Sequence, residues 1–582
     1  PLPAGGLHGA FVFSTEARAD IVAVDASVAL ARDGVMAFLD ADSLDKAGFT
    51  NDVGGGEPLF APGKVAYHGQ IVGMVCASSY AAARTAAAVV KVTYANAEAP
   101  IMSFDDAEAA GSYFDLSPEE STAAAGDAAA AIAGAAVTVE GVAEVGGQAH
   151  FHMETQNATA SPSEGGGISL VCCTQGPAFT QETVAKALNR SPACVDVRVR
   201  RVGGAYGAKI SRNAAISCAA ALAAETLGRP CRVELEQRDN MLALGSRRPH
   251  RCKYTLGLDV DGTLLGVDLD TTMMQGWFPD SSFGTPLDVI GSYDSAYRCA
   301  NWRFKGRVAR TNRPANTYCR APGYLPAMLL LEVALDHAAR SLGVAPEALR
   351  ARNWYKSGDV SPRGQTMPTC TIDKCWSLLM DKVGGFEACR AAVDGFNATS
   401  RFIKRGLTVV PMRYTMAWEG GIHISLVSIQ ADGKLLLQHS GTEVGQGINT
   451  IAAQVAALEL GVDVDDVSVG PTRTGAAACP GTTGTGGSIT TEQVGSAVRN
   501  ACQQLAARLA PYLAAQPTFA AAASAARDDG VDMQARGRFH GGKSTLGPFE
   551  YASYGAALLE VELDVLSGTA RPLRAECVID VG

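Results

Sequence analysis

Along most of this chain, apolar strand-like runs end in turns of Gly, Ala, Ser and Thr, and several of those turns open straight into a helix. No other feature constrains the fold as strongly, because elements joined by short turns pack beside each other. Residues 8–98 alternate between the two element types. The segments 9–13, 21–24, 70–75 and 89–94 read as strands, 25–30 opens a helix, and 80–88 is an Ala-rich helix. We expect an α+β protein: a compact unit over 1–100, then a linker over 101–136, acidic and then Ala/Gly-rich with a short helix. Two larger blocks follow, 137–395 and 396–582, the second with helices at 448–460 and 492–514. Residues 515–545 read as a weakly patterned Ala/Gly-rich insertion.

At 582 residues and 47% hydrophobic, the chain can bury several cores. Its 49 basic and 59 acidic residues leave a net charge of -10, which argues against a nucleic-acid partner. Apolar stretches are broken well short of about 18 residues, so no membrane-crossing helix is expected. Pro1 to Gly6 has no Met and no basic segment ahead of an apolar core, and the chain stops on the apolar run 577–582, so both ends read as cuts. The 15 cysteines form no C-x-x-C; Cys172-Cys173 is a vicinal pair, and four residues separate Cys370 from Cys375. Buried reduced thiols and a cytoplasmic location are expected, without structural zinc or an iron–sulfur cluster in this chain.

Five loops carry the chemistry. They are Gly146-Gly147-Gln148-Ala149-His150-Phe151-His152-Met153-Glu154-Thr155, Arg201-Val202-Gly203-Gly204-Ala205-Tyr206-Gly207-Ala208-Lys209, the stretch from Thr311 to Gly323, Gly441-Thr442-Glu443-Val444-Gly445-Gln446-Gly447, and the stretch from Thr482 to Glu492. A small-residue loop ahead of a helix offers free backbone N–H groups at the positive end of the helix dipole and suits an anion. None of the five is a Walker A or a G-x-G-x-x-G loop, so a nucleotide is not their natural ligand. A large polar ligand with phosphate and ring N and O atoms is.

In this order and spacing the five loops resemble the molybdopterin-binding segments of the aldehyde oxidase/xanthine dehydrogenase family. Residues 60–70 resemble that family's α/β hammerhead domain, and 353–359 resemble it after a long helix. The resemblance implies a hammerhead domain over 1–100 and a two-part molybdenum-cofactor-binding domain over 137–395 and 396–582. It implies a molybdenum–molybdopterin cofactor held without direct protein ligands, and 2Fe-2S clusters and FAD on further domains. It also implies a homodimer and a small-molecule aldehyde or heterocycle as substrate.

Carried over residue by residue, Gln148 hydrogen-bonds a molybdenum oxygen. Tyr206 and Gly207 present backbone at the metal, with Gly204 beside them, and Arg320 belongs to the third loop's contact. Gln446 meets the pterin, and Gly486, Gly487, Ser488 and Thr490 match the fifth loop. The molybdenum environment is therefore Gln148, Tyr206, Arg320 and Gly487. The family's general base is a Glu in a Gly-Glu-Pro-Pro-like motif that lies beyond residue 582, so this piece alone is expected not to turn over. Gly56-Glu57-Pro58 spells something similar but precedes the first cofactor loop.

Substrate class is argued from departures. Lys209-Ile210 stands where purine-oxidising relatives have Lys-Glu, Arg320-Ala321-Pro322-Gly323 replaces Arg-Gly-Phe-Gly, and 284–296 shows no clear Arg counterpart. Apolar Ile210 cannot pair with a purine, and each unmatched polar group would cost about 1–3 kcal/mol. Ile210, Pro322 and Trp418 are the substrate-side positions, Trp418 being either a wall or core, with Glu419 beside it. All three departures favour an aldehyde over a purine. Alternation of His150, His152 and Glu154 on a strand would put all three on one face, yet a packed polar network is the simpler reading than zinc. Tyr297-Arg298-Cys299 resembles a copper-binding Tyr-Arg-Cys, but the positional match is the third loop, where Ala321 has no sulfur and Cys319 is expected to point elsewhere. Glu443 is read as fixing its loop rather than as a base.

Overall fold

The strand Ile71–Ala77 is buried along its whole length, as an unbroken apolar run must be when both sheet faces are covered. The computed structural model describes residues 2–280, 289–418, 420–475 and 481–581, the side chain of Glu120 excepted. Ile71–Ala77 lies between Leu7–Phe13 and Val35–Asp40, antiparallel to both. The sheet runs on through Cys231–Glu234, Asn157–Ser163, Gly167–Cys172 and Val195–Val199 to Thr472–Arg473. One eight-stranded sheet therefore draws strands from the N-terminal unit and from both later blocks. The helix Asn213–Leu227 covers it, and the small side chains of Ala219, Ala220 and Ala223 share a core with Leu7, Leu170 and Val233.

A second sheet places Val137–Val145, His250–Leu258, Leu264–Gly276 and Trp302–Arg310 side by side. The helix Tyr324–Leu342 packs Leu331, Leu335 and Ala338 into a core with Leu256, Trp302 and Phe304. The segment expected as a linker is stitched to this sheet: Tyr113–Phe114 and Thr122–Ala125 both pair with Trp302–Arg310. Ala-rich composition hid these short strands, because Ala carries little strand signal.

The last block holds the sheet Ile403–Met416, Tyr551–Asp564, Ala570–Asp580 and a four-stranded sheet ordered Val467–Val469, Leu435–His439, Ile422–Ile429, Gln534–His540. On the latter lie the helices Ile448–Leu460 and Thr490–Ala515, with Val494, Val498, Cys502 and Leu505 recurring at helical spacing against Val427 and Leu437. The 515–545 region is not an unpatterned insertion. It forms the helix Phe519–Asp528 and the strand Gln534–His540, which pairs along Ile422–Ile429. Among the described residues no helix is long and apolar enough to cross a membrane, and the described cysteines are free thiols, most of them buried.

Candidate cofactor site

The first loop leaves Val137–Val145 and enters Asn157–Ser163 as irregular backbone, not as a strand. His150, His152 and Glu154 are therefore not arrayed along one strand face. His150 Nε2 lies 2.7 Å from Tyr318 O, and His152 Nδ1 lies 2.6 Å from Glu154 O. Gln148 is gripped by Arg247, whose Nε and Nη2 donate to Gln148 Oε1 at 3.0 and 2.9 Å. The same guanidinium donates to Arg320 O at 2.6 Å and to Ala321 O at 3.1 Å, so it clamps the first loop to the third. Cys319 does not point away, as expected from the sequence: its Sγ is 4.0 Å from Gln148 Oε1. The bonds from Arg247 to Arg320 O and Ala321 O hold this turn beside Gln148.

The five loops are bonded to one another. Glu154 N donates to Gly203 O at 3.1 Å, Gly203 N to Glu154 Oε2 at 2.8 Å, and the wholly buried Lys209 Nζ reaches Glu154 O at 2.8 Å and Oε2 at 3.0 Å. Burial works against ionisation of Glu154, but the Gly203 N–H and Lys209 outweigh it and hold the carboxyl below its usual range. Arg320 N donates to Tyr206 O at 2.8 Å, joining the second and third loops, and Val202 N donates to Glu443 O at 2.8 Å, joining the second and fourth. Thr442 N donates to Thr485 Oγ1 at 2.7 Å and closes the fourth onto the fifth. Gln175 sits at the hub. Its Oε1 accepts from Gly207 N at 3.1 Å and Lys209 N at 3.2 Å, while its Nε2 donates to Thr485 O at 2.7 Å.

Backbone strain concentrates here. Phe151, Tyr206, Ala321 and Ser488 all take positive φ, between 48° and 64°, a conformation that costs a non-glycine residue of order 1–3 kcal/mol and persists only where surroundings enforce it. Gly207 has φ +102°, and a side-chain carbon there would lie 2.6 Å from Tyr318 O, so only glycine fits the crossing of loops two and three. Tyr206 is half exposed. The N-cap position of Thr490–Ala515 has no side-chain cap. Loop four is closed by its own carboxylate: Glu443 accepts from Gly445 N, Gly447 N and Asn449 N. Burial opposes ionisation of Glu443, yet these three donors hold it charged below its usual pKa.

Other side chains are placed less directly. Gln446 folds its amide back on its loop, accepting from Val444 N at 2.7 Å and donating to Thr442 O at 3.0 Å, so a ligand there would meet loop backbone. Thr490 Oγ1 exchanges bonds with Gly486 N and O at 3.1 Å. Ser488 Oγ is 3.4 Å from Tyr414 Oη, whose ring lies 4.4 Å from that of Tyr324. Ile210 Cδ1 approaches Gly486 closely enough to touch a methyl there at 3.2 Å. Pro322 precedes the helix Tyr324–Leu342 on the turn that follows Ala321. Trp418 donates from Nε1 to Glu492 Oε1 at 2.7 Å, Tyr551 Oη donates to Glu492 Oε2 at 2.9 Å, and Glu492 and Ser488 line an open groove of about 500 Å³. Trp418 thus buttresses a wall. A second cavity of about 380 Å³ is lined by Gly147, His150, His152, Ala208, Ser246 and Asn316 of the first three loops and their neighbours. Glu419 and residues 284–288 lie outside the described residues.

Glu57 is no base in waiting. It is buried and paired through both oxygens to Arg212 at 2.8 and 2.6 Å, and Arg212 also holds Asp280 at 2.6 Å. Gln175 and Arg247, outside the five loops, complete the site. Gln175 stands between a strand and a Pro-started helix, in Thr174-Gln175-Gly176-Pro177, a turn of the same type as the others; Arg247, in Ser246-Arg247-Arg248-Pro249, left no local signal beyond a basic pair. Among the described residues no group of three His, Cys, Asp or Glu is placed to hold a metal ion. The arrangement fits a group that brings its own metal ligands and an anionic end. The Arg247 guanidinium at this junction meets no carboxylate among the described residues.

Strands and loops of both later blocks meet over this junction. The family pattern described as "Molybdopterin cofactor-binding domain" matches residues 114–354, and a second of the same description matches 379–582. Residues 2–98 match the "Aldehyde oxidase and xanthine dehydrogenase, a/b hammerhead domain". The chain is 35% identical over 589 residues to aldehyde oxidase 2 of Cavia porcellus, covering 99% of this chain and 43% of that protein. In fold it is similar to the aldehyde oxidoreductase from Desulfovibrio desulfuricans, with a TM-score of 0.87 and 24% identity over 100% of this chain and 66% of that one. It is similar likewise to CO dehydrogenase from Oligotropha carboxidovorans, with a TM-score of 0.86 and 20% identity over 99% and 80%. The chain belongs to the aldehyde oxidase/xanthine dehydrogenase family. It spans less than half the length of its aldehyde oxidase relative.

Proposed function

We propose that this chain is the cofactor- and substrate-binding part of a cytoplasmic aldehyde oxidase-type oxidoreductase that converts an aldehyde to a carboxylic acid with water as the oxygen source. The observation that carries the reading is the bonded junction of five small-residue loops around Arg247, a guanidinium that meets no carboxylate among the described residues. When bound, molybdenum–molybdopterin supplies the two-electron redox chemistry, and electrons leave by 2Fe-2S and FAD groups carried elsewhere in a homodimeric protein. Gln148 offers its amide to the metal end. The strained turns at Tyr206, Gly207 and Ala321, with Arg320, shape that end, and Gln446, Gly486, Gly487, Ser488 and Thr490 hold the pterin. Ile210, packed against Gly486, presents hydrocarbon where purine recognition needs an acceptor.

The test is made on the protein purified with all of the polypeptide that carries this chain. Molybdenum and pterin are measured per chain, and the bound metal is then challenged anaerobically with an aldehyde or a purine while its Mo(V) resonance is followed. Reduction by the aldehyde is expected. Absence of molybdenum and pterin sinks the cofactor assignment, and reduction by a purine alone sinks the substrate class.

A further inference from the structure

We infer that Arg247 is a positioning residue: it fixes which end of the Gln148 amide faces the cofactor and supplies the positive charge opposite an anionic oxygen of that ligand. The inference rests on the molybdopterin reading above and concerns a residue outside the five loops. Every hydrogen-bond acceptor that Arg247 meets is neutral. Its Nε and Nη2 are spent on Gln148 Oε1, its Nη1 on Ala321 O, and Nη2 reaches Arg320 O as well. Gln148 is also held through its backbone, since Arg247 N donates to Gln148 O at 2.9 Å.

Two consequences follow. The first concerns direction. With Oε1 committed to a guanidinium that cannot accept, the amide cannot flip, and the end left over is the Nε2 donor, which bonds no described residue. Gln148 is thereby a donor toward the ligand and never an acceptor. The second concerns charge. No carboxylate faces Arg247 among the described residues, and burial pushes its pKa down with only the Cys319 thiol opposing. A guanidinium remains protonated under such pressure, so the buried charge lacks a counter-ion among the described residues. Such a charge is stabilised by an anionic group arriving from outside the chain. Either the oxygen-bearing metal end or the phosphate of the cofactor supplies that chemistry.

Arg247→Met and Arg247→Lys in the complete protein test this. Molybdenum and pterin per chain, the g values of Mo(V) and the melting temperature are the readouts. For Arg247→Met, molybdenum retention falls at least about tenfold, as expected for losing a charge-assisted contact, and the residual Mo(V) signal shifts as Gln148 turns. Arg247→Lys keeps the charge without the fork, so retention recovers to within about threefold while the shifted spectrum persists. Loss of molybdenum with pterin still bound assigns the charge to the metal end; joint loss assigns it to the phosphate. If Arg247→Met does not fold, the lysine variant still decides by its spectrum: an unshifted signal overturns the positioning role. Full retention with an unchanged spectrum in Arg247→Met overturns the proposal while leaving the cofactor reading intact. A wild-type protein without molybdenum and pterin overturns both.

Discussion

Replacing Lys209 with Met removes an ammonium group that is wholly buried and spends itself on Glu154, at 2.8 Å to the backbone oxygen and 3.0 Å to the carboxylate. Breaking a fully buried pair costs about 3–5 kcal/mol. Here the Glu154 side chain keeps 33% of its exposure, and Gly203 N and Asn157 Nδ2 continue to hold it at 2.8 and 3.3 Å. Water and these donors reduce the expected loss to about 2–3 kcal/mol. For a cooperative unit of 150–250 residues that is a drop of about 4–12 °C in melting temperature. Glu154 has a folded pKa below its usual value, so its contribution is complete above about pH 4.3 and fades as the pH falls through the folded pKa. The gap between wild type and variant should therefore narrow on acidification below pH 4. Adding Glu154→Gln should restore most of the loss, because removing both partners leaves no stranded charge. Calorimetry at pH 7 and at about pH 3 measures all of this, and a Lys209→Met protein melting within about 1 °C of wild type at pH 7 would falsify the account.

Two further outcomes are expected. Gly207→Ala forces a side-chain carbon to 2.6 Å from Tyr318 O at a positive φ, so metal analysis should find molybdenum lost, with circular dichroism close to that of wild type. Burial lowers the pKa of His152 to about 4, of His250 to about 3 and of His423 to about 4. These imidazoles are neutral in the fold and protonate near pH 6.5 when unfolded, so their contribution is complete above that pH and is lost progressively down to pH 4 and 3. Melting temperature should fall from pH 7 to pH 5, and His423→Asn should flatten the slope; an unchanged slope refutes the assignment for that residue.

Elements whose order is local were legible. The helix expected at 448–460 forms as Ile448–Leu460, and that at 492–514 as Thr490–Ala515, because each follows a glycine turn and repeats apolar residues every three or four positions. Strand 70–75 appears as Ile71–Ala77 because its short, continuous apolar run is buried on both faces. Failures came where partners are distant. The Ala-rich stretch 122–125 is a strand only because Trp302–Arg310 offers it an edge, and 534–540 only because Ile422–Ile429 does. Within the site, the loops themselves could be read from their small residues. The side chains that bind them together could not: Arg247 meets Gln148 across 99 residues of chain, and Lys209 meets Glu154 across 55.

The single amide of Gln175 ties Gly207 to Thr485, and the bond to Thr485 spans 310 residues. At ribosomal speeds of about 5–20 residues per second, those residues take roughly 15–60 s to appear. During that interval the earlier half exists without the wall that completes its hollow, and whatever is to be enclosed has an open door. Loading before the later half arrives and loading after closure are thus separate routes, and only the second has to pry apart a finished seam.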